Sequence, residues 1–175
     1  MRKLLLVIDM PRDFVDGALG TPEAVKIVPN VVRKIKAYPR ENVIATRDTH
    51  GADYLQTQEG QKLPVVHCVR GTPGWELVPE VAEALGDAQI VDKPTFGSVA
   101  LARQIAALAE QEPIAIELVG LCTDICVVSN ALLLKAMMPE VPISVDPACC
   151  AGVTVERHRM ALATMESCQI MVEEI

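Results

Sequence analysis

Short aliphatic runs that stop abruptly at polar residues alternate along this chain with stretches in which apolar side chains recur every three to four positions. Residues 3–8 form a dense apolar run closed by Asp9, and residues 42–46 repeat the pattern before Arg47-Asp48-Thr49-His50. Both runs predict buried parallel strands that deliver polar groups at their carboxyl ends. Between them, Thr21-Pro22-Glu23 supplies a helix cap and a first-turn proline, followed by Val25, Val28, Val31, Val32 and Ile35 at helical spacing. The alternation continues with a strand over 65–69, a helix over 76–85, a strand over 89–92 and a helix over 98–110. A strand over 114–119, a helix from Asp124 through Lys135, a strand over 142–145, a helix over 154–167 and a strand over 169–172 complete it. The pattern predicts a doubly wound α/β fold: a mostly parallel sheet with helices on both faces. No linker, repeat or low-complexity tract interrupts it, so residues 1–175 read as one domain. In such a sheet the site lies beyond the carboxyl ends of the strands. That singles out Asp9, Asp48, His50, His67, Lys93 and the segment 120–126.

Composition narrows the function. Half the residues are hydrophobic and 22% are charged, which excludes a disordered chain. Sixteen Lys and Arg against 23 Asp and Glu give a net charge of −7. With no basic cluster and only 3% aromatics, neither a phosphate-tracking surface nor a stacking platform for nucleic acid is present. A small-molecule substrate is expected instead, with no nucleic-acid partner. The first apolar run ends at Asp9, too short for a signal core or a membrane span, so no membrane association and a cytoplasmic location are expected. In that setting the six cysteines, two of them adjacent at Cys149-Cys150, read as reduced thiols.

Cys126 falls at the start of a predicted helix, where the macrodipole favours a thiolate; alone, it could equally be a small core hydrophobe. Asp9 reads as a desolvated carboxylate suited to proton transfer, or as a turn acid. Lys93, held by Pro94-Thr95-Phe96-Gly97-Ser98, is a fixed cation or an ordinary strand-end lysine. Asp48 and His50 alternate and so share one side of an extended segment, with His67 ending the next predicted strand. Two imidazoles and a carboxylate suit an open divalent-metal site, Zn²⁺ first with Fe²⁺ or Mn²⁺ as alternatives. The competing reading gives His67 a buried hydrogen bond and Asp48 a place in a turn.

Five blocks together resemble the nicotinamidase/isochorismatase family of cysteine hydrolases across almost the whole chain. They are Val7-Ile8-Asp9-Met10-x-x-Asp13-Phe14, Thr46-Arg47-Asp48-Thr49-His50, His67-Cys68-Val69-x-Gly71-Thr72-x-Gly74, Lys93-x-x-Phe96-Gly97-Ser98 and Gly120-x-x-Thr123-Asp124-x-Cys126-Val127. The resemblance implies a catalytic triad of Asp9, Lys93 and Cys126, and a metal set of Asp48, His50 and His67. It also implies an oxyanion hole from the backbone N–H groups of Cys122 and Cys126, beside a cis Leu121–Cys122 bond. Phe14 and Leu121 would line the substrate pocket, and relatives often form homo-oligomers. Because the isochorismatase branch generally lacks the metal set, the likeness leans toward a nicotinamidase-like amidase acting on a small carboxamide. The alternatives are an isochorismatase-like or carbamoyl hydrolase of the same fold and, outside it, a thiol redox or ligand-binding protein using Cys122 and Cys126. Three departures bear on the pocket: Pro11 stands where a glutamine is usual, the second histidine after Asp48-x-His50 is missing, and the tryptophan expected near Leu63-Pro64 is absent.

Overall fold

The computed structural model describes residues 1–173. In chain order its elements are β1 (Arg2–Ile8), α1 (Arg12–Val15), α2 (Pro22–Ala37), β2 (Val43–Asp48), α3 (Gln58–Lys62), α4 (Pro79–Leu85), β3 (Gln89–Lys93) and α5 (Val99–Ala109). There follow β4 (Ile114–Leu121), a π-helical turn (Thr123–Val127), α6 (Val128–Met137), β5 (Ile143–Ala151), α7 (Val155–Ser167) and β6 (Met171–Val172). The six strands form one sheet in the order β3-β2-β1-β4-β5-β6, with every pair parallel. This is the expected fold class.

Side-chain alternation along β1 divides the core. Leu5 and Val7 pack with Ile27, Val28, Val31 and Ile35 of α2 and with Val81 and Leu85 of α4. Leu4, Leu6 and Ile8 face the opposite way, against Leu101 and Ile105 of α5, Leu134 of α6 and Met165 of α7. Strands buried on both faces must be apolar nearly throughout, which is why the sequence shows runs rather than alternation. On the α2 side, Lys34 fills a group of three carboxylates, at 2.5 Å from Glu117, 2.7 Å from Asp146 and 3.5 Å from Glu173. Its ammonium ties α2 to β4 and β5.

The chain runs outward from β1 to β3 and then returns to place β4 beside β1. This reversal opens the crevice in which doubly wound sheets hold ligands. Gly120 is required there: its φ is +115°, and a Cβ would lie 2.0 Å from the carbonyl oxygen of Ile8. Opposite it, Asp9 has φ 42°, in the left-handed region that a non-glycine residue occupies at a cost of roughly 1–3 kcal/mol.

Two expectations need correction. The strand over 65–69 does not form. Its residues are held above the end of β2 by His50 N–H to Cys68 O at 2.9 Å and Arg70 N–H to His50 O at 3.0 Å, and only a single His50–Val69 bridge results. β3 already occupies that edge of β2, so the segment meets only the residues just beyond the end of β2. The last long strand, expected over 142–145, instead continues to Ala151 through Pro147, after a register shift against β4 between Leu118 and Gly120. Such an irregularity accommodates a proline that cannot donate to the ladder.

Candidate active site

Three chain segments converge at the crevice. Asp9 leaves the end of β1, Lys93 is the last residue of β3, and Cys126 lies in the turn that follows β4. They are 0%, 1% and 3% exposed, so their charges interact with little screening by water. Lys93 Nζ stands 2.6 Å from Asp9 Oδ2 and donates to Cys126 Sγ at 3.3 Å and to the Thr95 carbonyl at 3.0 Å. Thr46 donates its hydroxyl to Asp9 Oδ1 at 2.7 Å, fixing the carboxylate from its other side.

The electrostatics follow from burial. Burial pushes Asp9 above the ordinary carboxylate range; Lys93 opposes this without overcoming it, and Asp48 adds to it. Burial alone would lower Lys93, but the Asp9 and Asp48 carboxylates outweigh it and keep the ammonium charged. Cys126 is pushed well up by burial and by the Asp9 carboxylate, with Lys93 acting the other way. This corrects the thiolate expected from a helix start: Cys126 lies in a π-helical turn ahead of α6 and is buried beside an anion. A thiol so placed beside a carboxylate could act as a nucleophile only if attack were coupled to proton transfer.

The metal candidates gather next to these groups. Ligand atoms of Asp48, His50 and His67 lie within 4.8 Å of one another. His67 shares Nδ1 with the Val65 carbonyl at 2.7 Å, which turns Nε2 inward, the arrangement by which a second hydrogen bond orients a ligating imidazole. His50 Nε2 is buried without a hydrogen-bond partner among the described residues, 2.9 Å from Asp48 Oδ2. An orphaned ring nitrogen facing a carboxylate and a second imidazole fits a divalent cation. Lys93 Nζ is 3.6 Å from Asp48 Oδ1, so the two clusters share a wall.

Two residues here escaped the sequence reading. Glu59 of α3 brings Oε1 to 3.7 Å from Nε2 of both His50 and His67. Tyr54, fully buried, sets its ring 4.7 Å from His50 and 4.8 Å from His67 and donates its hydroxyl to Leu63 O. Among the proposed pocket residues, Phe14 meets the His67 ring at 5.6 Å. Leu121 is buried in the core cluster that contains Phe14, so it backs the site rather than lining an open surface. Trp75 lies elsewhere, stacked under the Arg47 guanidinium at 3.3 Å and donating to Thr49 Oγ1 at 2.9 Å, which braces the segment between Asp48 and His50. The Leu121–Cys122 bond is cis, and Cys122 directly precedes the turn that carries Cys126.

A cavity of about 650 Å³ at the opposite end of the sheet is lined by Arg2, Leu4, Val43, Gln89 and Ile105 among others. It contains none of these groups, and its Arg2 and Arg40 are already paired with Glu112 and Asp87.

A buried thiol coupled through a lysine to a carboxylate at a sheet switch point is an arrangement suited to nucleophilic chemistry. The chain matches the family model of the isochorismatase domain over residues 3–174 and belongs to the isochorismatase family of hydrolases. Among solved structures it is similar to the nicotinamidase/pyrazinamidase of Bacillus subtilis, at 28% identity and a TM-score of 0.82, over 99% of this chain and 100% of that one. It is likewise similar to the pyrazinamidase of Pyrococcus horikoshii in complex with zinc, at 28% identity and a TM-score of 0.80 over all of both chains. The N-carbamoylsarcosine amidase of Thermoplasma acidophilum, at 23% identity and a TM-score of 0.77 over 100% of this chain and 99% of that one, shares the fold. No curated protein matches the chain. Among the described residues no helix is long and apolar enough to cross a membrane.

Proposed function

We propose that this chain is a metal-containing, nicotinamidase-like amidohydrolase that converts a small carboxamide to its acid and ammonia. The observation that carries the reading is the position of Lys93 Nζ, which reaches Asp9, Cys126 and Asp48 together and so joins the nucleophile to the ligand cluster. A hydrolase needing only the triad has no use for an orphaned His50 nitrogen facing Asp48 and a second imidazole beside it, which disfavours a vinyl-ether hydrolase of the same family.

Cys126 Sγ attacks the carboxamide carbon as its proton passes to Asp9, and the carbonyl oxygen takes up negative charge. Backbone N–H groups of Cys122 and Cys126 receive that charge. Asp9 returns the proton to nitrogen, the C–N bond breaks, and ammonia leaves behind a thioester. Asp9 then takes a proton from water, whose oxygen adds to the thioester carbon; the acid departs and Sγ regains its proton. Lys93 stays protonated throughout and offsets charge on the sulfur and the carboxylate in turn. Asp48, His50 and His67, with Glu59 as an additional oxygen donor, would hold a divalent metal, Zn²⁺ by preference. Such a metal supplies a Lewis-acidic point that orients a substrate ring nitrogen. Phe14, against His67, would bound the ring.

Ammonia release from nicotinamide and pyrazinamide, measured on protein assayed for bound metal, tests the reading. About one equivalent of metal and turnover of at least one amide are expected. His67→Ala should lose the metal and raise KM at least about tenfold, since one ligand of a three- or four-donor site contributes at least that much. Stoichiometric metal in His67→Ala would place the metal elsewhere.

The state of Asp9 fixes the pH dependence. It must be ionised to accept the thiol proton, and burial has raised its pKa. The acid limb of kcat/KM should therefore fall at a pH clearly above the ~4 of an ordinary aspartate. A pH–rate profile flat down to about pH 4 would remove Asp9 as the base.

A further inference from the structure

The turn that positions the nucleophile is held from outside the catalytic groups. Thr123 opens the π-helical turn, directly after Cys122 and three residues before Cys126, and is fully buried. Its hydroxyl meets Nδ1 of His158 at 2.7 Å. His158 lies in the first turns of α7 and donates its own backbone N–H to the carbonyl of the Thr154 cap at 2.9 Å, so the imidazole sits on a fixed element. A second link runs beside the first: Val153 N–H donates to Asp124 Oδ1 at 3.0 Å. Between them Gly152 allows the close approach, since a Cβ there would lie 2.8 Å from His158 N and 2.9 Å from Asp124 Oδ1. The loop entering α7 is thus clamped to both residues that follow Cys122.

We infer that His158 is a positioning residue of the acyl-transfer step, acting through Thr123 to hold the Cys122–Cys126 turn in the orientation that receives the oxyanion. His158 touches neither Asp9 nor Lys93 nor Cys126 in any hydrogen bond of the described residues, so its effect must pass through the turn. A covalent reaction of Cys126 that builds no oxyanion should be indifferent to it. One that builds an oxyanion should not.

The inference rests on the cysteine-hydrolase reading but not on the identity of the amide, and the probes are chosen accordingly. In 4-nitrophenyl acetate, Sγ adds to the acyl carbon, the C–S bond forms, and the C–O bond breaks with release of 4-nitrophenolate, through a tetrahedral oxyanion. In iodoacetamide, Sγ displaces iodide at a saturated carbon without one. Both rates are measured at Cys126 in a Cys168→Ser background, which removes the exposed thiol, and the reaction of Cys126→Ala is subtracted.

His158→Ala and Thr123→Val should each slow acylation about tenfold, the scale of a misplaced reacting group, while alkylation stays within about twofold. The double variant should be no slower than the worse single one, because both remove the same link. Thr123→Ser, which restores the hydroxyl, should return acylation to near the parent rate. Parallel loss of acylation and alkylation, or additive effects in the double variant, would show that His158 merely supports packing and would overturn the inference. If the parent protein is acylated at Cys126 but releases no ammonia from any amide, the amidase reading fails and this comparison still decides the role of His158.

Discussion

Cys126→Ala should reduce ammonia release roughly 10⁴–10⁶-fold, to the level left by binding and the oxyanion turn alone. The substitution removes the group proposed to form the covalent intermediate. Its structural cost is small: the sulfur is buried, but the change deletes one atom and leaves the Asp9–Lys93 ion pair neutralised. A stability loss of about 1 kcal/mol is the ordinary scale for such a change. The informative control is Cys122→Ala. Cys122 is half-buried and its thiol is pushed up to about 12 by burial, with Asp124 and Asp9 adding to the shift. In the proposed mechanism only its backbone N–H takes part, so this variant should keep activity within about tenfold. Turnover by Cys126→Ala above a hundredth of the parent rate would sink the nucleophile assignment, and loss of turnover only in Cys122→Ala would move it four residues upstream.

Lys93 was legible as a strand-end cation and Cys126 as a thiol at a helix start, but only the family resemblance joined them to Asp9, which was legible for a physical reason. A strand buried on both faces must be apolar until it leaves the sheet, so the first polar residue beyond an aliphatic run marks the mouth of the crevice. Asp48 and His50 were legible because period-two spacing places them on one side. His67 reaches Asp48 and His50 although the strand expected around it does not form, since its register comes from two backbone hydrogen bonds to His50 rather than from a ladder. What was hidden depends on packing between distant segments. Glu59 reaches the histidines from a five-residue helix with no apolar period to announce it. Tyr54 is fully buried in a stretch that reads as a polar loop. His158 lies 35 residues from Thr123, in a helix whose pattern says only that it packs on the sheet. The charge state of Cys126 was misjudged because a helix-start argument sees the local dipole, whereas burial and the Asp9 carboxylate come from the assembled crevice.

Lys93→Met tests how these charges depend on one another, because it keeps most of the side chain's bulk while removing the cation that faces Asp9, Cys126 and Asp48. Without it Asp9 is fully buried beside another carboxylate. Keeping that charge would cost about 3–5 kcal/mol, the penalty for breaking a buried pair. Taking up a proton is cheaper, so Asp9 should be neutral near pH 7 in the variant. A protonated Asp9 cannot accept the thiol proton, and kcat/KM should fall roughly 10²–10⁴-fold, the contribution of one general base. The acid limb of the profile should move to higher pH, and the Cys126 thiol pKa should rise, because Lys93 is the group that opposes its upward shift. Stability should change with pH in a defined sense. A carboxyl whose folded pKa exceeds its unfolded value binds more protons when folded, so folding weakens as pH rises from the unfolded pKa of ~4 through the folded one. The drop in Tm between about pH 4 and pH 8 should therefore be steeper in Lys93→Met than in the parent, where the ammonium limits the upward shift of Asp9. Coincident acid limbs and parallel Tm–pH curves would show that Lys93 does not set the charge of the base, and the buried ion pair would lose its place in the chemistry.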